Sequence, residues 1–370
     1  MAGVDGQSAP AFSFPLSDPE ASCYIRPMSE TLALYALTRQ GTALARKLAL
    51  ELGGTVHAPR RFADDGVHPF ESLPELVAET FGAFDGHVFV AAAGIAVRCI
   101  APHLKGKADD PAVTVLDQQG RFAVSLLSGH LGGANDLAVR CAAVTGGQAV
   151  ITTATDTAGV PSLDVLARDA GMTIGNIERV KVVNGALLEG KPVQVFDPGR
   201  YLGAEGELFV PVPDPDSWRM GEPGVWVSWK DDCPDADALW LYPRVLMLGV
   251  GCRRGVSGDE IFNHVRNVFD AAGLSLDAVG GLASIDLKAD EPGLLEAAQA
   301  LDVKPVFYPK ETLDAVDAPN PSGTVFRRVG VASVSEASAL LLSGRGELLV
   351  EKTKTNTVTL AVAREKKKEG

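Results

Sequence analysis

LLSGHLGGAND, residues 126–136, decides how the amino-terminal part of this chain is read. The apolar run 122–127 stops at a polar, glycine-dense turn, and Leu137, Ala138, Arg140, Cys141 and Ala142 then resume at helical spacing. The pattern predicts a strand, a tight loop and a helix start. Gly129, Gly132 and Gly133 permit left-handed backbone and close approach of a ligand. Asn135 or Asp136 can cap the helix or sit in its first turn, and the N–H groups of such a start form an anion site. His130 titrates near neutral pH. The loop therefore offers a base, polar side chains and an anion cradle. An ordinary strand-to-helix turn, whose histidine only satisfies a carbonyl, fits the same residues.

Upstream, apolar runs at 31–38, 55–58 and 87–93 alternate with helical stretches from Gly41 to Leu52 and around 73–81. Such alternation predicts a mostly parallel sheet covered on both faces. Arg98, Lys105 and Lys107 precede DDPA and a strand at 113–116, and Asp117 and Gly120 then turn the chain into the 122–127 run. Downstream, a strand at 149–151 runs into TTATD, with Thr152, Thr153 and Asp156. Ligands of open α/β sheets sit beyond the carboxyl ends of strands. Three such ends, 91–94, 128–135 and 152–156, carry small and polar residues suited to one shared edge, with the three cations nearby. An ordinary solvated surface also accommodates those cations.

The 370 residues predict three parts in an α/β protein: an amino-terminal domain with a mostly parallel sheet, a small irregular α/β middle region, and a second α/β domain at the carboxyl end. Their expected bounds are a mobile tail at 1–28, then 29–160, 161–242 and 243–364, and a basic tail at 365–370. No chemistry is assigned to the middle region. The carboxyl-terminal domain opens with a strand and GCRRG, after which Ser257 can cap a helix over 259–272. Gly249, Gly251 and Gly255 approach the dinucleotide fingerprint but miss its last interval by one residue. Arg253 and Arg254 favour carboxylates instead, because the planar guanidinium matches them.

A net charge of −13 argues against a nucleic-acid protein. No apolar run approaches the roughly 20 residues of a membrane span, and no signal peptide opens the chain. Five scattered cysteines without a CxxC suit a reducing cytoplasm. The six histidines show no zinc spacing, so no protein-bound metal is expected.

Several long motifs recur in order. They are GIAVRCIAPHLKGKADDPAV, LLSGHLGGAND and VITTATD, followed by LGVGCRRG, LASIDLKADE, SVSEASALL and LLVEKT with VTLAVA. In these the chain resembles the cobalt-precorrin-5A hydrolase (CbiG-type) family of anaerobic cobalamin (vitamin B12) biosynthesis. The resemblance implies a three-part chain acting on a contracted cobalt tetrapyrrole whose ring-A acetate is closed as a δ-lactone. Water opens the lactone and acetaldehyde leaves. No cofactor is implied, because cobalt arrives with the substrate.

Within that resemblance His130 is the expected general base, with Asp117 or Asp156 orienting it or taking over as base. The Gly132 and Gly133 N–H groups, with Asn135, would stabilise the oxyanion. Arg98, Lys105, Lys107, Ser128, Gly129, Thr152, Thr153, Arg253 and Arg254 would hold the substrate, with the GCRRG turn facing the amino-terminal strand ends. A non-catalytic tetrapyrrole carrier and a dinucleotide-dependent oxidoreductase are the alternatives. Contacts with neighbouring pathway enzymes and homo-oligomerisation stay open.

Overall fold

The computed structural model describes residues 31–106, 109–320 and 333–366. The expected tail at 1–28 and Lys107 lie outside them. Three sheets follow one another along the chain.

The first sheet is built on β1 (Leu32–Ala36), all five residues of which are buried. Thr38 caps the next helix, α1 (Arg39–Leu52), by accepting the Gly41 N–H, and Gly53 ends it at φ 81°. Then come β2 (Thr55–Pro59), β3 (His68–Phe70), α2 (Leu73–Thr80), β4 (Gly86–Val90), α3 (Ala93–Ile100), β5 (Ala112–Leu116), β6 (Phe122–Leu127), α4 (Ala134–Thr145) and β7 (Gln148–Val150). The strand order is β3-β2-β1-β4-β5-β6-β7. Apolar clusters lie on both faces, one joining α1 and α4 to the sheet and the other joining α2 and α3.

One pairing changes what the sheet can present. β4 and β5 are parallel, but β6 returns antiparallel to β5, with Leu127 opposite Val113, and β7 runs parallel to β6. The carboxyl ends of β6 and β7 therefore lie at the opposite edge from that of β4. The expectation that 91–94 shares an edge with 128–135 and 152–156 is overturned. Asp117 makes this reversal. Its carboxylate accepts the N–H groups of Gln119, Arg121 and Phe122 at 2.8, 3.1 and 3.0 Å, closing the β5–β6 turn.

The middle region is more regular than its composition predicts. After α5 (Ala154–Ala158), which closes the amino-terminal part, it opens with α6 (Leu163–Asp169), followed by β8 (Met172–Ile174), α7 (Ile177–Leu188), β9 (Val193–Phe196), β10 (Phe209–Pro211), β11 (Gly224–Val227) and β12 (Leu239–Pro243). The five strands form one sheet in the order β10-β9-β11-β12-β8.

The third sheet centres on β13 (Leu246–Cys252). After it come α8 (Gly258–Ala272), β14 (Val279–Ile285), α9 (Pro292–Ala300), β15 (Pro305–Tyr308), α10 (Lys310–Asp314), α11 (Val334–Leu342) and the hairpin β16 (Glu347–Lys354) and β17 (Val358–Arg364). The order is β15-β14-β13-β17-β16. The expected basic tail is not wholly free, because the Glu365 and Lys366 N–H groups bond Val245 O and Ser343 O. Among the described residues no helix is long and apolar enough to cross a membrane.

Candidate functional site

The loop after β6 is shaped by two substitution-intolerant glycines and one strained residue. Ser128 sits at φ 54°, a left-handed conformation that costs a non-glycine residue energy, and its Oγ donates to Asp110 O at 2.8 Å. A Cβ on Gly129 would lie 2.6 Å from Asn135 Oδ1, and one on Gly132 2.5 Å from Ser128 Cβ. Gly133, at φ 83°, leads into α4. The turn bonds itself: the N–H groups of Gly133, Ala134 and Asn135 go to the carbonyls of His130, Ser128 and Gly129, each at 3.0 Å. The expected anion cradle is therefore largely filled from within. Of the two glycine donors predicted for an oxyanion, Gly133 is engaged and Gly132 remains.

His130 is 8% exposed and lies between two carboxylates. Its Nε2 is 2.9 Å from Asp156 Oδ2 and 3.1 Å from Thr155 Oγ1. Its Nδ1 is 3.2 Å from Ser162 Oγ and 3.3 Å from Asp164 Oδ2. Ser162 donates its one hydroxyl proton to Asp164 Oδ1 and receives Asn184 Nδ2 at 2.9 Å, so toward His130 it accepts. Asp156 Oδ2 also receives Thr153 Oγ1 and, at 3.0 Å, Asn135 Nδ2. Both ring nitrogens thus face acceptors, which calls for the imidazolium. The hydrogen bond to Asp164 raises the His130 pKa, burial opposes it, and Asp156 adds to the rise. For Asp156 burial pushes upward, and the Thr153 and His130 bonds outweigh it, leaving its pKa below the ordinary value.

This arrangement argues against the role expected of His130, because an imidazolium with both N–H groups engaged has no lone pair with which to take a proton. Asp156, 39% exposed, is the group of the cluster that offers a carboxylate to solvent. Asn135 is 6% exposed and spends its Nδ2 on Asp156 and Thr153, so it orients the carboxylate rather than meeting an oxyanion. Asp117 is a turn residue at the far end of β6 and takes no part.

The other expected binding residues divide. Lys105 stands at the His130 edge: its N–H donates to Asp110 Oδ1 at 2.8 Å, and the Asp110 carbonyl holds Ser128. Thr152 is exposed at the end of β7. Arg98 instead turns back to Gly94 O at 3.0 Å, at the other edge of the sheet. Arg253 and Arg254 follow β13, whereas the junction with the other regions lies at its opposite end. Seven residues at about 3.3 Å each make that separation roughly 20 Å. Arg254 reaches Asp290 Oδ2 at 3.4 Å within its own domain.

The glycines of that domain also find a plain reason. A Cβ on Gly249 would lie 1.8 Å from Ser335 O, so α11 packs directly on β13 there. The Gly255 N–H, at the approach to α8, is taken by Glu291 Oε1 at 2.7 Å. An internal carboxylate thus fills the place where the dinucleotide reading would put a phosphate.

Sequence reasoning missed what the middle region contributes. Ser162, Asp164 and Arg168 come from its helix α6 and the residue preceding it, and Asn184 from α7. Arg168 ties the His130 carbonyl and Asp136 Oδ2 to α6, both at 2.6 Å. One signal was available: Asn184 is a polar residue among the buried Val180, Val183 and Leu187 of α7, and a polar group there needs partners.

Beside the loop, where the three regions meet, lies a cavity of roughly 1040 Å³ whose lining includes Leu131, Arg168, Tyr201, Arg244, Lys304 and Lys366. Arg244 is bonded to Val279 O at 2.9 Å and to Asp302 O at 2.6 Å.

Three family models match the chain in succession: cobalamin synthesis G N-terminal over residues 75–156, cobalamin biosynthesis central region over 161–243, and cobalamin synthesis G C-terminus over 246–363. The chain is 34% identical over 345 residues to cobalt-precorrin-5A hydrolase of Salmonella typhimurium, covering 90% of this chain and 98% of that protein. It is 31% identical over 354 residues to the enzyme of the same name from Priestia megaterium, covering 90% and 94%. A shorter relative, protein CobE of Sinorhizobium sp, is 36% identical over 121 residues, which are 32% of this chain and 79% of that protein.

Proposed function

The chain belongs to the cobalamin synthesis G family, and from that membership we propose that it is a cobalt-precorrin-5A hydrolase of cobalamin biosynthesis. It opens the ring-A δ-lactone of a contracted cobalt tetrapyrrole and releases acetaldehyde. The observation that carries the catalytic reading is Asp156, a solvent-facing carboxylate fixed by His130, Asn135 and Thr153 at the SGHLGGAN loop.

Asp156 takes a proton from water as the water oxygen bonds to the lactone acyl carbon. The Gly132 N–H meets the oxyanion that forms. When the tetrahedral centre collapses, the ring oxygen leaves and is protonated to a hydroxyl on the two-carbon bridge. Removal of that hydroxyl proton lets the carbon–carbon bond break. Its electron pair passes into the conjugated macrocycle, and acetaldehyde departs. Cobalt is part of the substrate throughout.

The macrocycle's acetate and propionate fringe needs several cations rather than one. Lys304 and Lys366 at the junction cavity meet that need better than Arg253 and Arg254 do, whereas Arg168 and Arg244 there are already held by Asp136, Asp169 and Asp302. The cavity is at the upper end of the range of about 300–1,000 Å³ typical of ligand pockets. We place the reaction in the cytoplasm.

Incubation with cobalt-precorrin-5A tests the reading against the carrier alternative. The hydrolase turns the substrate over many times with acetaldehyde released. A carrier would bind the macrocycle and release none.

A further inference from the structure

The middle region carries no function in the reaction as described so far, yet it presses a fully buried carboxylate, Asp164 at 0% exposure, against the ring of His130. Its local chemistry is arranged for that contact. Ser162 stands at the N-cap position of α6 but makes no side-chain cap bond. Asn184 Oδ1 takes the Leu163 N–H instead, at 2.9 Å. Asn184 Nδ2 meanwhile donates to Ser162 Oγ at 2.9 Å and Asp164 Oδ1 at 3.2 Å. The serine is thus released from its own helix and turned toward His130 Nδ1, with Asp164 Oδ2 beside it. Burying a carboxylate is costly unless a cation or donors meet it, and here His130 faces it at 3.3 Å.

We propose that Asp164, held by Ser162 and Asn184, is a positioning residue of the amino-terminal site, keeping His130 doubly protonated so that His130 in turn fixes Asp156 in its reactive orientation. The proposal rests on the reading of Asp156 as the base. The site is then complete only when the middle region is docked on the loop, and Arg168 makes the same junction through the His130 carbonyl and Asp136.

The groups facing the ring account for its charge. Asp156 and Thr155 come from α5, with Asp164 and Ser162 on the other side. The neighbouring cation, Arg168, is neutralised by Asp136 and Asp169. Because the histidine pKa is raised by its partners, the imidazolium persists below that raised value and is lost as pH climbs through it.

The test uses the full chain. The His130 ring nitrogens are titrated by ¹⁵N NMR in wild type, Asp164→Asn and Ser162→Ala, with no substrate present. Asp164→Asn is expected to lower the His130 pKa by about 1–3 units, the usual effect of removing an adjacent opposite charge. Ser162→Ala should lower it by less. The alkaline limb of the kcat–pH profile should move down with it, while KM holds. An unmoved His130 titration in both variants, or a uniform loss of kcat at every pH, would overturn the proposal. If Asp164→Asn fails to fold, Ser162→Ala alone decides by the same two readouts. Because the titration needs no turnover, its result stands apart from whether acetaldehyde is ever released.

Discussion

Asp156→Asn separates chemistry from architecture at this site. The amide is isosteric with the carboxylate and keeps one oxygen to receive Thr153, Asn135 and His130, whose contacts at Oδ2 include separations of 3.0 Å to Asn135 and 2.9 Å to His130. Losing the ion pair with His130 and turning the Thr153 and Asn135 bonds into neutral ones, on a partly exposed side chain, costs about 1–2 kcal/mol of stability. The melting temperature should accordingly fall by a few degrees, with secondary structure unchanged. The amide cannot accept a proton from water, however, and general-base assistance is worth about 10²–10⁴ in rate. That corresponds to roughly 3–5 kcal/mol of barrier at about 1.4 kcal/mol per decade. The assay is acetaldehyde release at saturating cobalt-precorrin-5A, with circular dichroism as the control for folding. KM should change far less than kcat, since the substrate's carboxylates are gripped elsewhere. A folded variant within tenfold of wild-type kcat would refute the reasoning and move the base off Asp156.

His87 is 0% exposed, and burial is the chief reason its pKa is lowered from 6.5 to about 4. The unfolded chain binds the extra proton across that window. Stability is therefore complete above about pH 6.5 and lost as pH falls toward about 4, by at most roughly 3 kcal/mol from this group. His87→Phe should flatten that part of a urea-denaturation series against pH, and an unchanged slope would count against the assignment. Gly249→Ala puts a Cβ 1.8 Å from Ser335 O. Its carboxyl-terminal domain should melt early or fail to fold, with a cost of about 1–3 kcal/mol or more for overpacking. Lys304→Gln and Lys366→Gln should raise KM several-fold at nearly constant kcat, because carboxylate contacts persist from ground to transition state, whereas Arg254→Ala should leave KM close to wild type.

The strand, loop and helix of residues 122–145 were legible because an apolar run, clustered glycines and helical spacing agree locally. So were β13, the helix after Ser257 and the closing hairpin. The strands His68–Phe70 and Met172–Ile174 were not, since three residues carry no periodicity. The larger miss was direction. Asp117 and Gly120 announced a turn, but nothing local says that β6 would pair antiparallel with β5 and carry its end away from Ala91 and Gly94. His130 and Asn135 could be singled out by residue type, and Asp156 by its polar strand end. Their roles depended on Ser162, Asp164 and Asn184, brought to the ring from 32, 34 and 54 positions along the chain. Only the tertiary fold tells a histidine with a free lone pair from one held between two carboxylates.

The central claim is that this protein adds water to the lactone of its macrocyclic substrate and then releases the two-carbon bridge. A single-turnover reaction in ¹⁸O-enriched water, analysed by mass spectrometry of the macrocycle alongside an acetaldehyde assay, tests it directly. The account predicts one ¹⁸O atom in the freed ring-A acetate and one acetaldehyde for each macrocycle consumed. A macrocycle that is bound but recovered unlabelled, with its two-carbon bridge intact, would contradict it and leave the protein a carrier.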